Sequence, residues 1–292
     1  GETKGKVALP EGTTPDRTWK WMAIQDGVLY AMLGEEEQEA IVIKGGRTGA
    51  GWPWSGLGKG YAQEQYPWGV GRTLAAIDLE SGSLKWSLRK EELLDSRATV
   101  LRNGRMFYYS EKNFLGSLDV ATGKELWQRI DSEILEAIGE NDKAQTPRKG
   151  FSSSSFLKAD DDVIYFAGPQ RKNLVAVSAE NGDLLWQHPH GNYQLILRED
   201  GVYAMGRTET SLKFDRTSGE ILADLQCFRG NCTRATATVD SIFTRGYRHT
   251  GTQRVRLGDQ QVVPSRIGLM RPACQDGVVV AHGQLYWGPW MC

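Results

Sequence analysis

Residues 45–72 read GGRTGAGWPWSGLGKGYAQEQYPWGVGR, the stretch of this 292-residue chain richest in groups that could bind a ligand. Trp52, Trp54, Tyr61, Tyr66 and Trp68 stand among nine glycines and two prolines, with Arg47, Lys59 and Arg72 beside them. Rigid aromatics next to cations can stack a flat ligand, a sugar ring or a quinone. Long stretches without strand or helix periodicity often carry function. Trp52, Trp54, Tyr66, Trp68 and Arg72 are therefore the ligand-binding candidates. The plainer alternative is a lid whose aromatics cover a sheet face or plug a central opening. The run Gly56–Gly60 (GLGKG) lacks the GxxxxGK[ST] spacing of a phosphate loop, so no nucleotide site is read there.

A second group is cationic. Residues 227–272 hold eight Arg, no Lys and two Asp. Arg234, Arg245, Arg254, Arg256 and Arg271 are the candidates for binding an anion or a partner's carboxylates, chemistry that suits the planar guanidinium. A solvated strand face with Arg stacked on aromatics explains the same pattern. The whole chain has a formal net charge of −1, which lacks the electrostatic footprint of a nucleic-acid binder. Asp160, Asp161 and Asp162 invite a calcium reading. They lack EF-hand spacing and align with ordinary hairpin turns such as Asp26-Gly27 and Asp200-Gly201, so no metal site is assigned. His188 and His190 flank Pro189 and read as a connector, with a metal pair as the alternative. No GxSxG elbow frames Ser152–Ser155.

These groups must be positioned by something, and a repeated phrase supplies it. LAAIDLESGSLKW ends at Trp86, LGSLDVATGKELW at Trp127 and LVAVSAENGDLLW at Trp186, while a worn copy, LKFDRTSGEILA, ends at Ala223. Alternating apolar residues predict a strand, then Asp or Ser opens a turn, and Gly82, Gly123, Gly182 or Gly219 supplies a positive φ. Upstream of each copy a second hairpin ends in an aromatic: Tyr30, Phe107, Tyr165 and Tyr203. Further hairpins end at Phe243 and Tyr286. Phe107 to Trp127 is 20 residues, Tyr165 to Trp186 is 21 and Tyr203 to Ala223 is 20. Four short strands in about 40 residues is the spacing of a propeller blade.

The period also exposes what is extra. An inserted loop occupies about 35–72. A second insertion predicts a helix over about 130–141, where Ile130, Ile134, Leu135 and Ile138 share a face and Asp131 or Ser132 caps it. About six blades fit the chain, or part of a ring of seven or eight. Thr3–Leu9 (TKGKVAL) resembles a worn fourth strand that would complete the last blade. The chain starts with Gly rather than Met, as expected of a mature or trimmed product. It has no apolar run long enough to span a membrane as a helix.

Cysteine placement follows the same period. Cys232 lies 11 residues before Phe243 and Cys274 lies 12 before Tyr286, equivalent places in neighbouring units. A Cys232–Cys274 disulfide is the preferred pairing, with Cys227 and Cys292 paired together or free. Cys227–Cys232 remains an alternative. Disulfides imply an oxidising compartment, the periplasm or the cell exterior.

The AxDxxTGxxxW pattern resembles the tryptophan-docking repeat of the quinoprotein (PQQ-like) β-propeller superfamily, over residues 19–290. The C-terminal stretches CTRATATVDSIF and RPACQDGVVVAHGQLYWGPWMC resemble bacterial PQQ-like repeat proteins frequent in planctomycetes. The resemblance implies an all-β fold of four-stranded antiparallel blades. It also implies that Trp86, Trp127 and Trp186 pack between neighbouring blades and lock the ring. Members of the superfamily include quinone-dependent alcohol and sugar dehydrogenases, and a non-catalytic propeller lipoprotein of outer-membrane assembly. PQQ and calcium are cofactors by this resemblance alone. The dehydrogenases' adjacent cysteine pair is absent, their acidic and amide calcium set does not map onto this chain, and no CxxCH attaches a haem.

Two functional classes follow. One is a non-catalytic, extracytoplasmic propeller that presents loops and blade faces to a protein partner. The other is an oxidoreductase-type propeller holding a quinone or another flat cofactor.

Overall fold

Alternation of apolar and polar residues, broken every few positions by turn-forming pairs, gives short antiparallel strands that each pair with the next. The computed structural model describes residues 2, 6–9, 16–35, 69–139, 155–168, 171–230, 234–246, 251–258, 265–268, 270, 272 and 277–287. The first sheet is β1 (Thr18–Gln25), β2 (Val28–Gly34), β3 (Val70–Asp78) and β4 (Leu84–Asp95). The second is β5 (Thr99–Arg102), β6 (Arg105–Ser110), β7 (Phe114–Asp119) and β8 (Glu125–Arg129). Helix α1 (Ser132–Ile138) follows, and then the third sheet: β9 (Leu157–Ala159), β10 (Val163–Phe166), β11 (Asn173–Ser178) and β12 (Leu184–Pro189). The fourth is β13 (Tyr193–Arg198), β14 (Gly201–Gly206), β15 (Leu212–Phe214) and β16 (Ile221–Asp224). The fifth is β17 (Thr236–Ala237), β18 (Ser241–Arg245), β19 (Thr252–Arg256) and β20 (Ser265–Ile267), and the hairpin β21 (Val278–Ala281) and β22 (Gln284–Trp287) is last.

In all five four-stranded sheets the strand order follows the chain. Such meanders are the blades of a β-propeller, and the fold is all-β, with one short α-helix among the described residues. The fifth sheet forms although the corresponding stretch, residues 254–264 (RVRLGDQQVVP), keeps neither the phrase's turn-opening Asp in place nor its Trp. The chain falls into two compact units, Gly1–Tyr165 with Val177–Leu184, and Phe166–Ala176 with Leu185–Cys292. The first buries Tyr30, Met32, Leu74, Met106, Tyr108 and Phe114 in one cluster. The second buries Tyr203, Met205, Leu225, Ile242 and Val255 in another.

The register explains the aromatics. Tyr30 pairs with Ala76 and Ala76 with Trp86. Phe107 pairs with Ser117 and Ser117 with Trp127. A small residue on the third strand lets the flanking rings meet, with centroids 6.2 Å apart for Tyr30–Trp86 and 6.1 Å for Phe107–Trp127. In the fourth sheet Tyr203 pairs with Lys213 and Lys213 with Ala223. The ammonium of Lys213 lies 5.2 Å from the Tyr203 ring centroid and 2.8 Å from Asp200. A cation on the tyrosine thus replaces the aromatic pair, which accounts for the missing Trp.

Each indole is also held by the turn of the following repeat. Trp86 donates from Nε1 to the Val120 carbonyl at 2.8 Å, Trp127 to Ala179 at 3.2 Å and Trp186 to Arg216 at 3.0 Å. Each acceptor follows the residue that opens its turn. The turn glycines Gly123, Gly182 and Gly219 have φ of 71°, 78° and 71°. A Cβ at these positions would come within 2.6, 2.9 and 2.5 Å of Trp86, Trp127 and Trp186. Glycine is required twice over, for the left-handed backbone and for the space the indole takes. Gly82 shares the positive φ but has nothing within 4 Å of its missing Cβ.

Connections of an antiparallel meander alternate between two ends. The Asp–Gly turns and the short first hairpins occupy one end of each sheet. The links from second to third strand, and from fourth strand to the next sheet, occupy the other. Glu35 and Gly69, helix α1 and residues 225–230 all belong to that second end. Helix α1 is shorter than expected. Ile134, Ala137 and Ile138 are buried, but Ile130 lies outside the helix and is exposed. Asp131 occupies the N-cap position without a side-chain capping bond, because its carboxylate accepts from Arg129 Nε at 2.6 Å. Of the Thr3–Leu9 stretch, residues 3–5 lie outside the described residues and 6–9 form no strand. Leu9 packs against a cluster of Ala31, Leu33 and Ala75, in the first sheet.

Candidate functional site

Three connections of the second unit enclose a cavity of about 300 Å³, lined by Arg171, Lys172, His190, Gly191, Asn192, Tyr193, Thr208 and Glu209. They link β10 to β11, β12 to β13 and β14 to β15, all at the end opposite the Asp–Gly turns. Backbone bonds tie the first two together: Gly168 N donates to Gly191 O at 2.8 Å and Gly191 N to Lys172 O at 2.7 Å. A Cβ at Gly191 would sit 2.2 Å from the Asn173 carbonyl, so only glycine permits this approach. His190, just before it, has φ of 72°.

Arg229 braces the site from the buried side. Its Nε donates to Met205 O at 2.9 Å, and its Nη2 donates to Asn192 O at 3.1 Å and Oδ1 at 2.8 Å. Its own N–H reaches Gly206 O at 2.7 Å. One guanidinium thus fixes a carboxamide and the ends of two connections. Tyr193 is only 2% exposed, and its hydroxyl makes no hydrogen bond among the described residues. Burial, then the charges of Glu209 and Asp224, raise its pKa to about 12. His188 lies beneath, 5.0 Å from the Phe214 ring and 6.3 Å from Tyr193 by centroids. Burial first, and His190 second, hold His188 below the usual imidazole range. His190 Nδ1 is 3.7 Å from Glu209.

The residues singled out from sequence fall elsewhere. Trp52, Trp54, Tyr66 and Trp68 lie outside the described residues, as do Arg271, Cys232, Cys274 and Cys292. Arg72 donates from Nε to Glu91 O at 2.7 Å and lies 3.6 Å from Glu35. Its planar fork is occupied by the first sheet. Arg245 is buried and donates to Pro272 O at 3.2 Å. Arg254 donates to Ser241 Oγ at 2.8 Å and pairs with Asp240 at 3.1 Å. Arg234 and Arg256 are exposed. Arg245 and Arg254 thus turn to different protein partners. Cys227 is a buried free thiol raised to about 11, chiefly by burial.

The acidic triplet is a hairpin turn. Asp160 Oδ1 accepts from the Asp162 and Val163 N–H groups at 3.0 and 2.7 Å, and Asp161 pairs with Arg102 at 2.6 Å. Among the described residues no group of three or more His, Cys, Asp and Glu is placed to hold a metal ion. The calcium implied by the dehydrogenases therefore finds no such ligand group there. The pocket itself had one legible sign, the HPHG connector at 188–191. Arg171 and Lys172 come from one repeat and Glu209 from the next, and nothing in their spacing joins them.

Blades of this register, with indoles seated on the next repeat's turn, define a propeller built from PQQ-type repeats. Residues 63–263 match the family model described as outer membrane protein assembly factor BamB, and the chain belongs to this PQQ-repeat family. No curated protein matches the chain. Among solved structures it is similar to the computationally designed Ika8 protein, at a TM-score of 0.55 and 10% identity over 91% of this chain. The chain spans 66% of that protein's length. BamB from Moraxella catarrhalis aligns with a TM-score of 0.42 and 14% identity, over 74% of this chain and 76% of that one. The Pan2 WD40 domain of Neurospora crassa gives 0.46 and 12%, over 86% and 66%.

Proposed function

We propose that this protein is a non-catalytic binding or scaffold propeller that works outside the cytoplasm and receives a protein partner at the connection ends of its blades. Membership of the BamB-type repeat family carries the reading. The division of labour within the sheets supports it. Three turns seat indoles, and the described connections at the opposite ends carry the polar residues that line a cavity. Loops on a rigid scaffold are where binding groups gather. No helix among the described residues is long and apolar enough to cross a membrane.

A photo-crosslinking residue placed at Thr208, on a connection, should yield a discrete adduct in intact cells. The same probe at Glu220, beside an Asp–Gly turn, should yield none. Equal adducts from both, or none from Thr208, overturn the partner reading. A reporter active only in an oxidising compartment, fused to the chain, tests location. The Trp-rich stretch at 45–72 keeps the cofactor reading in view. Titration with PQQ, with and without calcium, followed by absorbance and tryptophan quenching, decides it, and a flat titration removes it.

A further inference from the structure

We infer that the turn of the first sheet, residues 78–82, is a seat for a tryptophan that a different protein presents from a strand. Four copies of this turn share one backbone. Gly82 N donates to Asp78 O at 2.9 Å, as Gly123 N does to Asp119 O at 2.8 Å, Gly182 N to Ser178 O at 2.9 Å and Gly219 N to Asp215 O at 3.3 Å. All four glycines have φ between 69° and 78°. In the last three copies an indole lies on the glycine and donates to the carbonyl of the residue after the turn opener. In the first copy Gly82 is exposed. The equivalent carbonyl, that of Leu79, accepts no hydrogen bond among the described residues.

The sheet face beside this turn is apolar. Tyr30 and Ala76 lie on the side of the first sheet that forms one buried cluster with Met106, Leu118 and Val120 of the second. Side chains alternate across a strand, so Met22 and Ile24, which flank Ala23, the partner of Tyr30, lie on the other side. Ile24 stands opposite Leu29 as Leu101 stands opposite Met106. Leu101 and Trp86 pack against the shared cluster, whereas Ile24 is 68% exposed and Met22 58%. The same wall is thus covered where an indole is seated and bare at the first sheet.

The described tryptophans of this chain are engaged elsewhere. Trp86, Trp127 and Trp186 sit on turns, and Trp287 donates to Thr252 Oγ1 at 2.8 Å. Trp19 and Trp21 pack against buried clusters of the first unit. A second copy would bring no described indole to the seat, so the occupant is a different protein. A tryptophan on its strand supplies what the other seats show: an N–H for the free carbonyl and a flat ring for the glycine and its apolar wall. Large aromatics of this kind anchor protein interfaces. This contact lies at a turn end and is separate from the partner site proposed at the connection ends.

The test uses the whole chain and two-dimensional NMR. The probe is a capped peptide copying residues 124–130 (KELWQRI), the stretch that carries Trp127, with its Trp127→Ala form as control. The tryptophan peptide should saturate below about 5 mM and shift the amides of Leu79 and Gly82, and the alanine form should bind at least roughly tenfold more weakly. Gly82→Ala places a methyl under the ring, and Ile24→Asp places a charge on the wall. Each should weaken binding by roughly tenfold. Ile24 is exposed, so that variant should fold, which its unfolding curve checks. No binding by the tryptophan peptide, equal binding of its alanine form, or affinity unchanged in both variants overturns the inference. So does a peptide that binds only after Trp52, Trp54, Trp68 and Trp290 are replaced by Phe, since a ring of this chain then holds the seat. In intact cells, a photo-crosslinking residue at Glu80 should give an adduct with a different protein that Ile24→Asp abolishes. No adduct, or an adduct with a second copy alone, overturns the choice of occupant. The scaffold reading is tested at Thr208, so either can fail without the other.

Discussion

The two ends of the sheets behave differently. At the turn ends, Gly123, Gly182 and Gly219 each lie under an indole from the preceding repeat, with a hydrogen bond to the neighbouring carbonyl. At the connection ends of the second unit, glycines serve another purpose. Gly191 and Gly206 let backbones approach each other, each with a carbonyl 2.2 Å from where a Cβ would be. The first arrangement recurs because one geometry solves one packing problem. The second differs from repeat to repeat and leaves polar side chains around an opening. The repeat therefore keeps its motif where an indole sits on the next turn, and varies at the connection ends.

The comparison breaks most visibly at Trp186, which is 8% exposed and stacked on Phe214 at 5.5 Å. Trp186→Ala should destabilise the protein by about 3–5 kcal/mol, read from urea unfolding. Next in size is a matched pair. Gly219→Ala combines the left-handed penalty with overlap on the indole and should cost about 2–5 kcal/mol. Gly82→Ala, with the same backbone but open space, should cost only about 1–2 kcal/mol. Equal costs would show that the indole contact adds nothing to the demand for glycine.

A smaller effect is expected where the motif is worn. Ala223→Trp should destabilise by about 1–2 kcal/mol, because the Lys213 stem occupies the ring's place. Adding Lys213→Ser, which restores the small residue of the second sheet, should reverse at least half of that loss. A loss unchanged by Lys213→Ser would remove this explanation of the missing Trp.

Acid gives the gentlest probe. Asp215 is held at about 2 by the N–H groups of Ser218 and Thr217 and by their hydroxyls. At Asp200 burial works upward, but Lys213, the Tyr203 hydroxyl and Arg198 outweigh it and also bring the carboxyl to about 2. Both folded values lie below the unfolded carboxyl, near 3.9. Their stabilisation is therefore complete above about pH 4 and lost as pH falls toward about 2. Asp200→Asn and Asp215→Asn should each flatten the stability curve in that window and leave its slope between pH 5 and 7 unchanged. A slope unaltered below about pH 4 would mean that these turns do not hold their charges as described.

Much of this was legible in the residues. The phrase from Leu74 to Trp86 announces a strand, an Asp turn and a second strand, and the structure forms them. The helix at 132–138 was also legible, although Ile130 misled at its start: an apolar residue in phase still needs a surface to cover. The arginines between 227 and 272 were legible only as charge. Arg229 and Arg245 donate to backbone carbonyls, of Met205 and Pro272 among others, which no run of guanidiniums in sequence announces. Free carbonyls at the ends of connections are not visible in a sequence.

The sequence by itself determined the repeat, its period and hence the sheets, because each hairpin depends on residues a few positions apart. Tertiary structure alone decided what each repeat does to its neighbour. Trp186 finds Arg216 and Gly219 thirty residues on, and Lys172, Asn192 and Glu209 meet around one cavity, although no local pattern relates them. Short-range backbone chemistry is written in the order of the residues. Convergence of side chains from separate connections depends on how strands stack and turn, and only the folded chain specifies that.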